Sequence, residues 1–464
     1  MTRGLVTREE LKQLVVDGDI DTVLLVFPDQ QGRLVGKRLT GDFFLHDILE
    51  GEGCVHGCNY LLAVDMEMEP LPGYAYASWD LGYGDLKAVP DFSTARRIPW
   101  LPKTALIICD TLDEETNEPV EVSPRQILKR QVERARAAGY TVMCGSELEF
   151  YLFRDSFEEA SARRYQGLQP HSDYIMDYHI LQTSKDEYLI RQIRNGMDGA
   201  GVPVEFSKGE FGRGQQEINL RYADALEMAD RHVIYKNGVK EIAASAGRAV
   251  TFMAKWSMAE AGSSFHLHSS LWDQGGSKSL MWDGSRGAEG AGHMSRTFRH
   301  YLGGLMACAH EMAWMFAPFV NSYKRYQLGS WAPTAIVWSH DNRTCGFRIV
   351  GERSGFRVEC RIPGADANPY LAFAATIAGG LHGIENGIEP PEMFRGNAYE
   401  AKDVPRVPTS LHEAVDAFAS SEVGRKAFGD LVFEHLLNTA RQEQRIFDND
   451  TVTDWELIRY FERG

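Results

Sequence analysis

The spacing of apolar and polar residues along the 464-residue chain switches repeatedly between a helical and a strand-like period, and those switches predict its elements. Residues 1–18 read as a short helix opened by Thr7, with Glu10 three residues on completing a capping box. Thr22–Phe27 and Arg33–Leu39 are β-rich runs separated by Pro28-Asp-Gln-Gln-Gly32, the pattern of a hairpin. Residues 51–92 carry Gly, Tyr and acidic residues with little periodicity and read as loops with short strands; Thr104–Asp110 is a strand. A polar cluster at 111–122 marks a boundary. Beyond it a helix is signed at both ends, with Ser123 as N-cap, Pro124 at the first helical position, Gln126 completing a box and Gly139 as the stop.

From there, strand-like runs (140–153, 265–272, 345–350, 356–362) alternate with helical segments (123–138, 222–247, 292–316, 368–386). Capping boxes at Ser410/Glu413 and Thr453/Glu456 open helices in the C-terminal tail. There is no internal repeat and no low-complexity linker. The pattern predicts an α+β protein with a small β-rich N-terminal domain, 1–112, and a larger one, 118–464.

Composition narrows the partners. The chain is 44% apolar and 25% charged, with a net charge of −16, which argues against nucleic acid or an anionic membrane as the main partner. A small anionic substrate stays open, because a local arginine cluster can outweigh the global sign. The seven cysteines form no CxxC pair, and Cys109, Cys144 and Cys360 sit in strand-like apolar text, as buried free thiols would in a reducing cytoplasm. The N-terminus is too polar for a signal peptide, and no stretch approaches the ~18 apolar residues that span a bilayer.

Charge falls into four segments at strand spacing. In Arg357-Val-Glu359-Cys-Arg361 the two arginines and the carboxylate share one strand face, which is costly to bury unless it meets phosphate, a carboxylate or a metal. Glu147 and Glu149, two apart in an apolar run, repel one another unless a cation lies between them. The run from Glu205 through Glu210 leads to Gly214-Gln-Gln-Glu217, and His266-Leu-His268 puts two imidazoles on one face. Each has a plainer reading: a surface ion ladder, a solvated edge, loop carboxylates, satisfied core histidines. Together, however, they amount to about five carboxylates with one or two imidazoles, a donor set that suits Mg²⁺ or Mn²⁺ better than Zn²⁺. Arg325, Arg343, Arg348, Arg357 and Arg361 add the means to hold polyphosphate and a carboxylate, and no GxxxxGK[ST] is present, so a P-loop is excluded. Metal-assisted phosphoryl transfer to a carboxylate is the chemistry these residues suggest.

These segments, with Phe252-Met-Ala-Lys255, Gly262, Asn321-Ser-Tyr-Lys-Arg325, Asn342-Arg343-Thr and Asn368-Pro-Tyr370, resemble the glutamine synthetase family in order and spacing from about 104 to 375. The resemblance implies an N-terminal β-grasp domain and a catalytic domain with an antiparallel sheet and flanking helices. It also implies a homo-oligomer, a dodecamer of stacked hexameric rings with active sites between subunits, and two or more divalent ions (Mg²⁺ or Mn²⁺) beside ATP. By motif position, Glu149, Glu210 and Glu217 are the expected ligands of a first metal, and Glu147, His266 and Glu359 those of a second. Glu205, His268, Ser270, Arg348 and Arg357 are expected on the nucleotide and its phosphates. Arg325, Arg343 and Arg361, with the loop at Gly262, are expected on L-glutamate and the transferred phosphoryl group. The implied reaction is ATP-dependent formation of γ-glutamyl phosphate followed by attack of an amine.

The sequence also departs from that family. Where ammonia-using members carry a flap glutamate, this chain has Trp331, which accepts no proton but can pack an alkyl chain. The ammonium-binding Asp-Gly-Ser-Ser element is missing from 51–92, and Ala261 replaces the usual Asn ahead of Gly262. The pattern is similar to bacterial γ-glutamyl-amine synthetases, and most to an actinobacterial branch associated with ethanolamine. A small primary amine is therefore the expected acceptor, ethanolamine ahead of putrescine-type polyamines. The alternatives are an ammonia-using enzyme and a catalytically silent relative. Tyr399 reads as an ordinary surface tyrosine.

Overall fold

The computed structural model describes residues 4–284 and 293–463; the ends of the segments predicted at 1–18, 292–316 and 118–464 that fall on residues 1–3, 292 and 464 lie outside them. Two sheets organise the chain. In the first, β1 (Thr22–Pro28) and β2 (Leu34–Thr40) form the expected antiparallel hairpin, Val23 opposite Leu39 and Phe27 opposite Val35. β1 also pairs in parallel with β6 (Thr104–Asp113), which in turn pairs with β4 (Asp85–Pro90) and the short β5 (Arg96–Arg97), and β3 (Val55–Cys58) closes the far edge against β4. β1 is apolar and buried along its length because it is central in this sheet.

The second sheet holds nine strands. Its main path runs from β13 (Trp338–His340) through β14 (Phe347–Val350), β15 (Arg357–Cys360), β12 (Phe265–Asp273), β7 (Tyr140–Phe153) and β9 (Gln215–Leu220) to β8 (Val204–Gly209). The short strands β10 (Ala223–Asp224) and β11 (Ala249–Thr251) also pair with β7. The expectation of an antiparallel sheet needs one correction: the edge strand β13 runs parallel to β14, the chain looping back through Asp341, whose φ is +47°.

Helices cover this sheet. Pro124–Ala137 ends at Gly139, whose φ of +89° is the left-handed conformation glycine adopts without strain. The box expected at its start does not form, since Ser123 is buried and its hydroxyl makes no cap hydrogen bond. Ser410 caps the Glu413 amide, but the Glu413 carboxylate reaches back to Thr409 instead, whereas Thr453 and Glu456 form the complete box. The sequence pattern misses the 20-residue helix Ile180–Gly199 altogether. Its buried stripe begins with Gln182 and Asp186, while Ile180 and Leu181 face solvent, so the apolar signal is out of phase with burial. Gln182 bonds Ser172, and Asp186 accepts from Gln216 and pairs with His171, which is how a polar stripe can be buried.

An ion cluster centred on buried Arg125 ties the first sheet to the helices that pack on the second. Arg125 pairs with Asp91 (2.8 Å) and Asp110 from the first sheet's chain and with Asp230 (2.9 Å) from the helix Ala225–Ser245, and Tyr370 donates to Asp230 at 2.6 Å. Asn368 caps the helix Pro369–Asn386 and donates to the backbone oxygens of Asp29 and Gln30 in the hairpin turn. Arg125→Ala leaves the buried Asp230 without its cation and deprives the half-buried Asp91 and Asp110 of theirs, Asp110 keeping Lys129. It is expected to destabilise the fold by about 3–5 kcal/mol, read as a lowered midpoint in chemical denaturation; a wild-type midpoint would show that the cluster is not what holds the sheets in place.

Candidate active site

Strand register gathers the acidic residues. Glu149 of β7 lies opposite Glu217 of β9, Glu147 of β7 opposite His266 of β12, His268 opposite Glu359 of β15, and Glu359 opposite Arg348 of β14. Cross-strand neighbours project from the same face of a sheet, so these residues share one surface. Arg361 follows the last residue of β15, yet its guanidinium still reaches Glu359 at 2.5 Å. On that surface two groups of three converge, Glu149–Glu210–Glu217 and Glu147–His266–Glu359, with the ligand atoms of each group within 4.8 Å of one another.

The first group is all carboxylate. Glu149 accepts from Ser264 N (2.8 Å) and Gln215 Nε2 (3.0 Å), Glu217 from Asn219 (2.7 Å), and Glu210 from Phe211 N (3.1 Å). Burial, then the neighbouring carboxylates, push Glu149 up to about 8 and Glu217 up to about 11; Glu210, although burial opposes it, is held below the usual range by its hydrogen bond with Glu217 and by Lys208. Three carboxylates this close cannot all ionise without a cation, and a hard divalent ion is what such an oxygen set fits.

The second group is mixed. His266 Nδ1 is 2.7 Å from Glu147 and 3.7 Å from Glu359, while its Nε2 is buried without a partner. Glu359 is fully buried and accepts from Arg348 (2.9 Å) as well as Arg361; against the cost of burial, Arg361 and then the two histidines hold it at about 2. Burial likewise opposes the charge on Glu147, which His266 and His268 keep well below the carboxylate range. Arg357 Nε donates to His268 Nδ1 at 3.1 Å, so Nε2 carries the proton directed at Glu147, 3.3 Å away. Two carboxylates with one imidazole again suit Mg²⁺ or Mn²⁺.

Two cavities meet at Glu147. The larger, about 810 Å³, has in its walls the whole first group and Glu147 and His266 of the second, together with Gly262, Arg325, Arg343, Arg348, Arg361 and Trp331, while Glu359 lies buried behind them. The smaller, about 380 Å³, is lined by Glu205, His268, Ser270 and Arg357. Four of the five residues expected on the nucleotide thus gather in one cavity, whereas Arg348 faces the other. Arg325 is buried, and its guanidinium is spent on Ser264 Oγ and the backbone oxygens of Arg361 and Ile362, leaving only Nε unpartnered. Arg343 lies exposed at the mouth. At Gly262 a Cβ would stand 2.6 Å from Arg325 Cγ and 2.8 Å from Ala254 O. Gly262→Ala is therefore expected to cost about 1–3 kcal/mol of overpacking and to displace Arg325, raising the KM for the carboxylate substrate; an unchanged KM would show that the loop tolerates the methyl group.

Trp331 sits at the mouth, half exposed at 49%, with φ at +65°, and its ring centre is 6.0 Å from that of Phe211. Tyr399 is not the surface residue expected from the sequence. It is half-buried, and its hydroxyl donates to Ala332 O at 3.0 Å, bracing the segment that carries Trp331. The sequence reading also missed Lys208, Gln215 and Phe211 as parts of the site. A signal for Lys208 was present: two residues before Glu210 on a strand, it shares that residue's face, and its ammonium pairs with Glu210.

Residues 121–460 match the glutamine synthetase catalytic domain. The chain is 51% identical over 455 residues to the γ-glutamylethanolamide synthetase GlnA4 of Streptomyces coelicolor, covering 98% of this chain and 96% of that protein. It is 37% identical over 457 residues to a glutamate–isopropylamine ligase of a Pseudomonas species, covering 98% and 97%. Among solved structures, the GmaS–ADP complex superposes with a TM-score of 0.83 at 26% identity, over 97% of this chain and 99% of that one. The chain belongs to the glutamine synthetase family and is a ligase with that family's α+β fold.

Proposed function

We propose that the protein joins the γ-carboxylate of L-glutamate to a small primary amine, ethanolamine ahead of putrescine-type polyamines, at the expense of ATP. One observation carries the choice of acceptor: the carboxylate-lined cavity is flanked by the rings of Trp331 and Phe211, 6.0 Å apart and tilted by 60°. An apolar wall beside acidic side chains fits a short alkyl chain ending in an ammonium group, which it can desolvate on one side and neutralise on the other. The likeness to a γ-glutamylethanolamide synthetase and an isopropylamine ligase supports the same choice.

In this reading the glutamate γ-carboxylate oxygen attacks the γ-phosphorus of ATP, the bond to ADP breaks, and γ-glutamyl phosphate forms. The bound ammonium first loses a proton to a carboxylate of the cavity or to water; the amine nitrogen then attacks the carbonyl carbon, the C–O bond to phosphate breaks, and the nitrogen's second proton leaves with the phosphate. Arg357, with His268, Ser270 and Glu205, holds the nucleotide side from the smaller cavity. Arg343 and Arg361 meet the glutamate and the transferred phosphoryl group from the larger one, where Arg348 neutralises charge next to Glu359. Arg325 acts mainly by fixing Ser264 and the chain after β15. Two divalent ions, one in each group of three, would neutralise the phosphates and draw them into line with the carboxylate.

Phosphate release from ATP and glutamate, measured across a panel of amines, tests the reading. Turnover with ethanolamine at a higher kcat/KM than with ammonia is expected. Turnover with ammonia alone would make the enzyme a glutamine synthetase.

Assembly into a dodecamer in a reducing cytoplasm belongs to the same proposal. The C-terminal helix Asp454–Tyr460 and the residue after it leave Ile458 80% and Phe461 88% exposed, and Trp79 stands exposed against Tyr83, apolar surface that association would cover. All seven cysteines are free, and no helix among the described residues is long and apolar enough to cross a membrane. Light scattering that gave the mass of a single chain would rule the assembly out.

A further inference from the structure

A third group of metal-ligating side chains lies away from both cavities, in the N-terminal sheet. Glu52, Cys54 and His56 alternate along the segment that enters β3, the edge strand beside β4. Cys54, just before β3, and His56 within it lie two apart on the same side of the chain, Glu52 joins them across the turn at Gly53, whose φ is +79°, and the three ligand atoms lie within 4.8 Å of one another. We propose that Glu52, Cys54 and His56 bind a zinc-type divalent transition-metal ion, separate from the ions of the active site.

The donor set decides the class of ion. A thiolate with an imidazole selects zinc-like ions over Mg²⁺ or Mn²⁺, and three protein ligands leave a fourth position for water at an exposed sheet edge. The surroundings are arranged accordingly. Glu114 Oε2, buried and without a hydrogen-bond partner, lies 3.3 Å from His56 Nε2. A carboxylate there is placed to accept from Nε2–H once Nδ1 ligates a metal. Lys87, directly across from His56 in β4, would compete with a cation, but its ammonium is engaged at 2.9 Å by both Glu114 O and Asn117 Oδ1. Cys58, two residues beyond His56, is occupied with Tyr83 O and takes no part.

Co²⁺ titration of the full-length protein tests the site, because a thiolate ligand gives cobalt a near-ultraviolet charge-transfer band that the carboxylate and imidazole ligands of the catalytic groups do not. One equivalent per chain is expected to develop this band. Cys54→Ser should abolish it, Cys58→Ser should keep it, and Glu114→Gln should weaken binding about tenfold. In the unmodified protein, Zn²⁺ should slow alkylation of Cys54 by about tenfold, read by mass spectrometry, without slowing that of Cys58. The absence of the band, its survival in Cys54→Ser, or alkylation of Cys54 unchanged by Zn²⁺ would overturn the proposal. None of these readouts depends on which amine the enzyme uses.

Discussion

Glu359→Ala is expected to abolish turnover, with a loss of at least about a thousandfold in kcat. Glu359 is fully buried, 3.7 Å from His266 and hydrogen-bonded to both Arg348 and Arg361. It is therefore placed both to be a donor in the second group of three and to be the counter-charge that keeps two arginines in place. Its carboxyl stays ionised down to about 2 in spite of burial, chiefly because of Arg361, so the charge is present at any working pH. Alanine removes a ligand and strands two guanidiniums, an additional cost of about 3–5 kcal/mol to the fold. Glu359→Gln separates the two effects, since it keeps the volume and one acceptor while losing the charge. It should fold and still fail to turn over, and Mn²⁺ binding should fall by one ion per chain. Turnover by either variant within about tenfold of wild type would remove Glu359 from the metal site.

The parts of this fold that could be read from the sequence are those in which burial follows apolarity. β1, the second half of β7 and the helix Pro369–Asn386 are apolar and buried almost throughout, and the helix Pro124–Ala137 buries Ile127, Leu128 and Ala135 at helical spacing, so pattern and structure agree. The helix Ile180–Gly199 breaks that rule at Gln182 and Asp186, because distant partners supply the hydrogen bonds that make the polar stripe buriable. The site divides in the same way. Alternation alone places Glu147 with Glu149 and His266 with His268, but it cannot say that Glu147 faces His266 across the sheet, since register is a tertiary property. Family resemblance supplied the grouping into two sets of three, and the fold brings those six residues into the same two sets. Phe211 and Tyr399 were beyond reach for a different reason. Their significance comes from one ring and one hydroxyl meeting a loop more than a hundred and more than sixty residues away in sequence, respectively.

Trp331→Glu is expected to lower the ratio of kcat/KM for ethanolamine to that for ammonia by about ten- to a hundredfold, the range that gain or loss of an alkyl contact commonly commands. The indole is held at the mouth by its backbone. A non-glycine residue at φ +65° costs roughly 1–2 kcal/mol, and it is retained here with Arg361 donating to Trp331 O at 3.4 Å and Tyr399 donating to Ala332 O. The substituted side chain would thus project where the indole does now, beside Phe211. A carboxylate there removes half of the aromatic wall and supplies an acceptor for an ammonium proton, with Arg343 and Arg361 in the same cavity to offset its charge. Those two changes can be told apart. Trp331→Ala removes the wall without adding the acceptor, so it should weaken ethanolamine turnover and leave ammonia where it was, whereas Trp331→Glu should also raise turnover of ammonia. Tyr399→Phe, which releases the brace on Ala332 but leaves the indole intact, should raise KM for the amine with little effect on KM for glutamate. An amine profile unchanged in Trp331→Glu would mean that the mouth does not select the acceptor, and that the choice is made elsewhere in the enzyme.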